Sequence, residues 1–260
     1  MKKALSVITL ISILFIFAAC GAAPVQSAAQ PSASTAQTQP AESAVQPSAT
    51  APEVVAFTDE VLEELVRKAM NKPSGDILVA EAQTVTELKL EMEGDKPIPR
   101  VKDLSGIAQF PNLTFLNLNW ALNNDGKPFD LSPLAGLTKL EYLYICCDNI
   151  SDISPLKGLI NMKDLWIWGN GKITDISALS GMTKMESLWI KGNQITDIRP
   201  LSGMAGLVYL YMEENMVTDL SPLAGLTKLK SLLLKNNPAT DYSPLKDIYP
   251  NLEEKDFKLK

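Results

Sequence analysis

The chain has no histidine among its 260 residues. Histidine is the commonest acid–base group at neutral pH and the base of many catalytic triads, so these kinds of active site are excluded. Cysteine is scarce as well, with three residues, of which Cys146 and Cys147 are adjacent. Three cysteines do not make a disulfide framework, and a bond between neighbours would close a strained ring. We therefore expect two unlinked thiols.

An excess of basic residues is also missing. The chain has 24 Lys and Arg against 30 Asp and Glu, a net charge of −6. Nucleic-acid binding proteins cluster Lys and Arg on one surface, so we predict no nucleic-acid partner. The sequence also offers no metal site, because Asn123, Asn124 and Asp125 are too few ligands for one. No cofactor is predicted.

The N-terminus has the features of an export signal. Lys2 and Lys3 precede an apolar stretch that ends in F-A-A-C at Cys20. This stretch is shorter than the ~20 apolar residues that a spanning helix needs. F-A-A-C-G resembles the lipobox of bacterial lipoproteins, in which the cysteine is acylated after cleavage. We therefore predict a lipoprotein signal peptide at 1–19 and lipidation at Cys20; an ordinary signal peptide and an uncleaved anchor are the alternatives.

The next segment, 20–55, consists mainly of Ala, Ser, Pro, Gln and Thr, and its only charges are Glu42 and Glu53. Such a composition provides almost nothing to bury, so this segment is predicted to be a disordered tether. The expected location is extracytoplasmic and surface-exposed, with the chain anchored to the bacterial cell membrane by lipid. No sorting signal is seen at the C-terminus, so the lipid is the expected attachment.

From there on the chain repeats itself about every 22 residues. T-D-I-S-A-L-S-G-M-T-K-M-E-S-L-W-I-K-G-N-Q-I from Thr174 is followed by closely similar units from Thr196 and Thr218. Repeats of this length predict an α/β solenoid, in which stacked units share one elongated core. Each unit is expected to form one strand of a parallel sheet on the concave face and a short helical turn on the convex face.

The repeat pattern also predicts which side chains are buried. Seven x-L-x-L-x segments place two apolar side chains inward, and an Asn follows most of them: Asn170, Asn193, Asn215 and Asn237. These amides should satisfy backbone groups in the turns. Ser before Pro, as in Ser132-Pro133, is expected to cap each helical turn. Asp148 replaces the Asn in one unit, which we expect to turn less regularly.

Both ends of the solenoid should be covered. A helix capped by Thr58 is predicted within an N-terminal cap at 56–82. Leucine-rich repeats follow at 83–241, and a divergent capping repeat occupies 242–260. The repeat L-x-x-L-x-x-L-x-L-x-x-N-x-I-x-D-I/L-x-P-L is similar to that of bacterial internalin-type leucine-rich proteins. That resemblance implies an extracellular protein-recognition surface. The immunoglobulin-like region and wall anchor of many relatives are not seen, so host-cell adhesion is not implied.

Alternation along the strands predicts which side chains point outward. Aromatic residues are concentrated there, in the middle four strands. Cross-strand aromatic pairs stabilise sheets, which is the simplest explanation, but clustered exposed Trp and Tyr also mark recognition surfaces. Cys146 and Ser231 are predicted to point outward too. The candidate ligand-binding residues are Tyr142, Tyr144, Asp164, Trp166, Trp168, Trp189, Lys191, Tyr209, Tyr211 and Glu213, with Lys235 at the rim.

The favoured ligand is a protein or peptide, and an envelope glycan is the alternative because aromatic faces also stack on sugars. An enzyme is the least favoured class. Asp164 and Glu213 lie too far apart for a glycosidase pair, roughly 16 Å from strand geometry. An insertion at 120–129 is interpreted as a tolerated loop, with Trp120 as its best candidate for contact with a partner. Replacing Trp166 and Trp189 by Ala is expected to abolish capture of the partner at little cost in stability.

Overall fold

A computed structural model describes residues 52–91, 99–123, 125–146 and 149–259. The predicted signal peptide, Cys20 and nearly all of the predicted tether lie outside these ranges, as do Asn124, Cys147 and Asp148. Within the described part, no helix is both long enough and apolar enough to cross a bilayer.

The repeats form one sheet of eight parallel strands, ordered along the sheet as along the chain. Each unit contributes one short strand and one 3₁₀ turn, as its length of about 22 residues predicts. The strands are β1 Glu87–Lys89, β2 Phe115–Asn117, β3 Tyr142–Tyr144, β4 Asp164–Trp166, β5 Ser187–Trp189, β6 Tyr209–Tyr211, β7 Ser231–Leu233 and β8 Glu254–Lys255. The 3₁₀ helices are Ser105–Gln109, Ser132–Leu134, Ser154–Gly158, Ser177–Gly181, Arg199–Leu201, Ser221–Leu223, Ser243–Leu245 and Tyr249–Asn251.

The predicted register of the strands is confirmed. The leucine at the centre of each of the first seven strands is buried, and so is the apolar residue two positions later. These leucines lie directly opposite one another in neighbouring strands, for example Leu165 opposite Leu188. The core is therefore a continuous apolar column between the sheet and the 3₁₀ turns, and the other face of the sheet is open.

The asparagine prediction is also confirmed. In the best-satisfied unit, Asn215 Nδ2 donates to the carbonyls of Ile190 and Met212 at 3.0 and 3.1 Å, and Oδ1 accepts from the Ile195 N–H at 3.1 Å. Each amide thus satisfies backbone groups of two successive units in a buried turn, where water cannot reach them.

The caps of the short turns differ from the prediction. The Ser before each Pro does not cap the 3₁₀ helix with its side chain; a preceding aspartate accepts the backbone N–H of the Ser instead. The Asp152 carboxylate, for example, accepts from Ser154 N–H at 2.8 Å, and Asp219 does the same for Ser221. An ionised acceptor makes the stronger bond to a backbone N–H, which explains why the Asp takes this role.

The N-terminal cap contains α1, Glu60–Ala69, and a short α2, Val79–Ala82. The predicted cap residue Thr58 is wrong by one position. Asp59 caps α1 through a bond from Leu62 N–H at 3.0 Å, and its other oxygen accepts the Lys102 N–H at 2.6 Å. The capping residue therefore also ties α1 to the first repeats, whereas the Thr58 hydroxyl is hydrogen-bonded to Asp103.

Candidate functional site

The open face of the sheet carries a stack of aromatic rings, here called the ring ladder: Tyr144, Trp166, Trp189 and Tyr211. These residues lie opposite one another in successive strands. Their ring centroids are 4.5, 4.8 and 4.1 Å apart, with interplanar angles of 32–34°. The separation is close to the ~4.8 Å spacing of strands, so the register of the sheet itself produces the stack.

Stacking determines which part of each ring a ligand can reach. Trp166 has one ring of the ladder on each side, and so does Trp189. At one end, the ring of Phe115 meets Tyr144 edge-on at 5.4 Å. At the other end, the position after Tyr211 is Leu233. The two indole faces are therefore covered by neighbouring rings, and the ladder presents ring edges to solvent.

Three of the four rings of the ladder have their polar atoms hydrogen-bonded to neighbouring side chains. The Tyr144 hydroxyl donates to Asp164 Oδ2 at 3.1 Å, and the Tyr211 hydroxyl donates to Glu254 Oε2 at 3.1 Å. Trp189 Nε1–H donates to Ser187 Oγ at 3.2 Å. The buried Trp166 Nε1 lies beside the Asp164 carboxylate without forming a hydrogen bond of ordinary geometry. These bonds leave the ladder few free polar atoms, and the bond between Tyr211 and Glu254 is itself exposed to solvent.

Asp164 is the acidic group at the centre of this arrangement. Burial raises the pKa of its carboxyl above the usual range, and the nearby Glu186 carboxylate adds to the increase. Hydrogen bonds from neutral neighbours oppose the shift without cancelling it. Burial beside Asp164 also raises the pKa of the Tyr144 hydroxyl, which therefore stays protonated and remains a donor.

The other predicted site residues surround the ladder. Tyr142 is half-buried, with its ring 6.2 Å from that of Phe115. Tyr209 is 45% exposed. Trp168 is half-buried, and its Nε1 has no hydrogen-bond acceptor among the described residues. These three aromatic side chains lie outside the stack, on either side of it.

A charged group lies at the opposite edge of the ladder. Lys191 Nζ is 3.9 Å from Glu213 Oε1 and 3.5 Å from Glu214 Oε1. Burial raises the pKa of Glu213, although the lysine opposes that shift. Lys235 is exposed, as its predicted place at the rim requires.

Two side chains predicted to point outward are buried. Cys146 has no exposed surface, and continuing the register of β2, β3 and β4 by two residues gives it the larger Asn119 and Trp168 as neighbours in its column. Ser231 is only 2% exposed, and its hydroxyl is hydrogen-bonded to Glu254 of β8. The alternation of residues along a strand predicts the direction of a side chain but not the size of its neighbours. This explains why Cys146 and Ser231 are both buried.

The sequence pattern also missed β8, which supplies the acceptor for Tyr211. Its inward position holds Lys255 instead of leucine. That lysine donates to the Leu252 carbonyl at 2.7 Å and lies 4.8 Å from the ring centre of Tyr249. A charged residue can occupy this place because β8 is the last strand of the sheet. The 23-residue step from Ser231 to Glu254 would have been the available signal.

Trp120, in the insertion, is 40% exposed and has a positive φ of 61°. The same repeat position has a positive φ in Gly169, Gly192, Glu214 and Asn236. The insertion packs back on the chain through a bridge between Val101 and Leu122. The left-handed conformation of Trp120 is therefore required by the repeat and is not peculiar to the insertion.

Comparison with known proteins agrees with this architecture. A family model described as Leucine Rich repeats (2 copies) matches residues 138–181, 160–203 and 183–225. The solved structure of internalin C2 from Listeria monocytogenes is 27% identical, with a TM-score of 0.63, and the match covers 81% of this chain and 99% of that one. The chain is a leucine-rich repeat protein of the internalin type.

Other solved structures are similar over smaller or less superimposable regions. An internalin of Listeria monocytogenes, InlF, is 30% identical, with a TM-score of 0.45 and coverage of 79% of this chain and 78% of that one. The leucine-rich ectodomain of the Arabidopsis thaliana receptor kinase GASSHO1/SCHENGEN3, solved in complex with Casparian strip integrity factor 2, shares the fold. It is 16% identical, with a TM-score of 0.56 and coverage of 68% of this chain and 22% of that one. No curated protein sequence matches this chain.

Proposed function

We propose that this protein is an extracytoplasmic binding protein that recognises a polypeptide through the open face of its sheet. The contact residues are the ring ladder together with Tyr142, Asp164, Trp168, Lys191, Tyr209 and Glu213. The observation that carries the proposal is the ladder itself: four stacked rings on the open face, three of which have their polar atoms hydrogen-bonded to neighbouring side chains. Rigid aromatic side chains grouped in this way are typical anchors of protein interfaces.

The same geometry favours a polypeptide over a glycan. Stacking of a sugar needs an open ring face, and both faces of Trp166 and Trp189 are covered by other rings. Recognition of sugar hydroxyls also needs available polar groups, and the hydroxyls of Tyr144 and Tyr211 are already bonded to acids. Apolar side chains of a polypeptide require neither an open ring face nor free polar groups.

Membrane attachment is a separate part of the proposal. Cleavage before Cys20 and acylation of that cysteine would hold the protein on the cell membrane by its lipid, with 20–55 as the tether. More than one acyl chain gives stable attachment. Incorporation of radiolabelled palmitate into the wild-type chain, and its loss in Cys20→Ser, is the expected result.

Binding is tested by selecting linear peptides from a phage-displayed library on the immobilised, purified full-length chain. Tyr209 is replaced by Ser because it is the most exposed of the predicted aromatic contacts and lies outside the stack. Ile160→Ser is the matched control, since Ile160 is an apolar residue of comparable exposure, 54%, outside the open sheet face. We expect Tyr209→Ser to reduce retention of the selected phage at least about tenfold, as expected for an interface anchor, and Ile160→Ser to leave it unchanged.

The alternative ligand class is tested on an array of envelope glycans. Binding to glycans that Tyr209→Ser abolishes, together with no enrichment of peptides, would replace the polypeptide proposal by carbohydrate recognition. Equal loss of peptide binding in the two variants would move the binding site away from the open face.

A further inference from the structure

The edge of the sheet at which the strands begin carries more carboxylates than lysines. Asp164, Glu186 and Glu254, here called the acidic edge, have no Lys or Arg nitrogen within 4.0 Å among the described residues. Lys163 pairs with Glu141 at 2.6 Å and also interacts at longer range with Glu186, and Lys230 pairs with Glu253 at 3.1 Å. One lysine thus serves two glutamates, so the acidic edge keeps an excess of negative charge.

For Asp164, the absence of a cation within 4.0 Å has a cost in free energy because the carboxylate is desolvated. Its carboxyl is largely buried between Tyr144 and Trp166, and Oδ1 has neither solvent contact nor a hydrogen-bond partner of ordinary geometry. An ionised group in such a place is destabilising unless a cation or several hydrogen bonds compensate for its desolvation. Hydrogen bonding by Ser187 and Tyr144 offsets part of this cost without cancelling it. The chain keeps the carboxylate although an amide would avoid the charge.

Resting on the proposed function, we propose that the polypeptide bound by the open face carries a Lys or Arg side chain that lies against Asp164 and Glu186, beside apolar residues on the ring ladder. The spacing suits an extended segment. Asp164 and Trp166 are two residues apart on β4, and alternate residues of a bound strand, about 7 Å apart, also point to one side. A bound strand with a basic residue two positions from an apolar residue thus places the basic side chain at Asp164 and the apolar side chain at Trp166.

Charge complementarity separates this partner from other occupants. A second copy of the chain has a net charge of −6, and an acidic polysaccharide is anionic throughout. Both would be repelled by the acidic edge, whereas a basic segment is attracted and its association depends on salt. The partner is therefore a basic polypeptide segment.

The test applies the peptide selection to charge variants of the full-length chain. Wild type should enrich peptides with an excess of Lys and Arg over the unselected library. Asp164→Asn/Glu186→Gln should lose that excess while still enriching apolar peptides. Asp175→Asn/Asp219→Asn is the matched control, because it removes two exposed carboxylates that only cap outer turns and should leave the excess unchanged. Circular dichroism verifies that each variant is folded.

A double-mutant cycle makes the test quantitative. A selected peptide and its Lys→norleucine analogue are titrated against wild type and Asp164→Asn/Glu186→Gln. We expect about a tenfold loss of affinity for the lysine peptide and less than about a twofold change for the analogue.

The outcomes separate the two proposals. Enriched peptides that are neutral or acidic, or a basic excess that persists in Asp164→Asn/Glu186→Gln, would overturn the basic partner alone. Enrichment of no peptide by the wild type would overturn polypeptide binding as well.

Discussion

Two columns of side chains run along the repeats and behave differently. The asparagine column, Asn170, Asn193, Asn215 and Asn237, keeps one residue type over four successive units and bonds to the backbone of two units at a time. The ring position changes from Asn117 through the ring ladder to Leu233 and faces the open side. One residue type is kept in these four units because the backbone of the turn needs the amide, whereas the open face allows different side chains.

The largest effect is expected from breaking the asparagine column. Asn215→Ala would remove three hydrogen bonds, those to the carbonyls of Ile190 and Met212 and that from the N–H of Ile195. The two carbonyls keep one bond each, from Asn193 and Asn237, but the Ile195 N–H would have no partner. Losing these bonds and leaving a buried donor unsatisfied should lower the free energy of unfolding by about 4 kcal/mol, measured by urea denaturation.

Asn251→Ala is the control for that change. Its amide is exposed and makes one long bond of 3.5 Å to the Thr227 carbonyl. Its effect should stay within about 0.5 kcal/mol. Equal losses in the two variants would show that the column has no special structural role.

A smaller effect on stability is expected from opening the ring ladder. Trp189→Ala removes ring contacts to Trp166 and Tyr211 at 4.8 and 4.1 Å. Since each aromatic pair contributes about 0.5–1.5 kcal/mol beyond burial, the free energy of unfolding should fall by about 2–3 kcal/mol. The ring contacts therefore favour a larger loss than the sequence-based expectation that Trp→Ala changes in the ladder cost little stability, and urea denaturation decides between the two.

Trp120→Ala provides the comparison for Trp189→Ala. Trp120 is exposed. Neither Trp nor Ala is a glycine, so the positive φ at position 120 costs the same before and after the change. Unfolding free energy should change by less than about 0.5 kcal/mol. A loss of stability in Trp120→Ala as large as that in Trp189→Ala would contradict a special contribution of the stack.

The smallest expected effect concerns Asp164, whose pKa is raised in the folded protein. The desolvation cost of its charged form is present above the folded pKa and disappears as pH falls through that value towards the unfolded pKa. Wild type should therefore gain stability relative to Asp164→Asn when the pH is lowered from 7 to 4. Urea midpoints of the two proteins across this range measure the difference. A constant difference would mean that the carboxyl is not desolvated.

The sequence could predict most of the fold because the period of about 22 residues and the x-L-x-L-x pattern determine strand, register and core together. It could not predict features that depend on neighbouring units. Cys146 is buried although its position alternates outward, Asp59 caps α1 and also accepts the Lys102 N–H, and β8, with Lys255 at its inward position, lacks the x-L-x-L-x pattern. Nor does alternation reveal that the rings stack on one another, tilted by 32–34°, which is the geometry on which the proposed choice of ligand depends.

Oxidative footprinting by mass spectrometry tests the recognition face most directly. The full-length chain is exposed to hydroxyl radicals with and without a peptide from the selection. We predict slower oxidation of Tyr209 and Trp168 when the peptide is bound, and unchanged oxidation of Met216, which is 55% exposed in a turn beyond the strands. Protection of Met216 or Ile160, with Tyr209 and Trp168 oxidised at the same rate as in the free protein, would contradict binding at the open face.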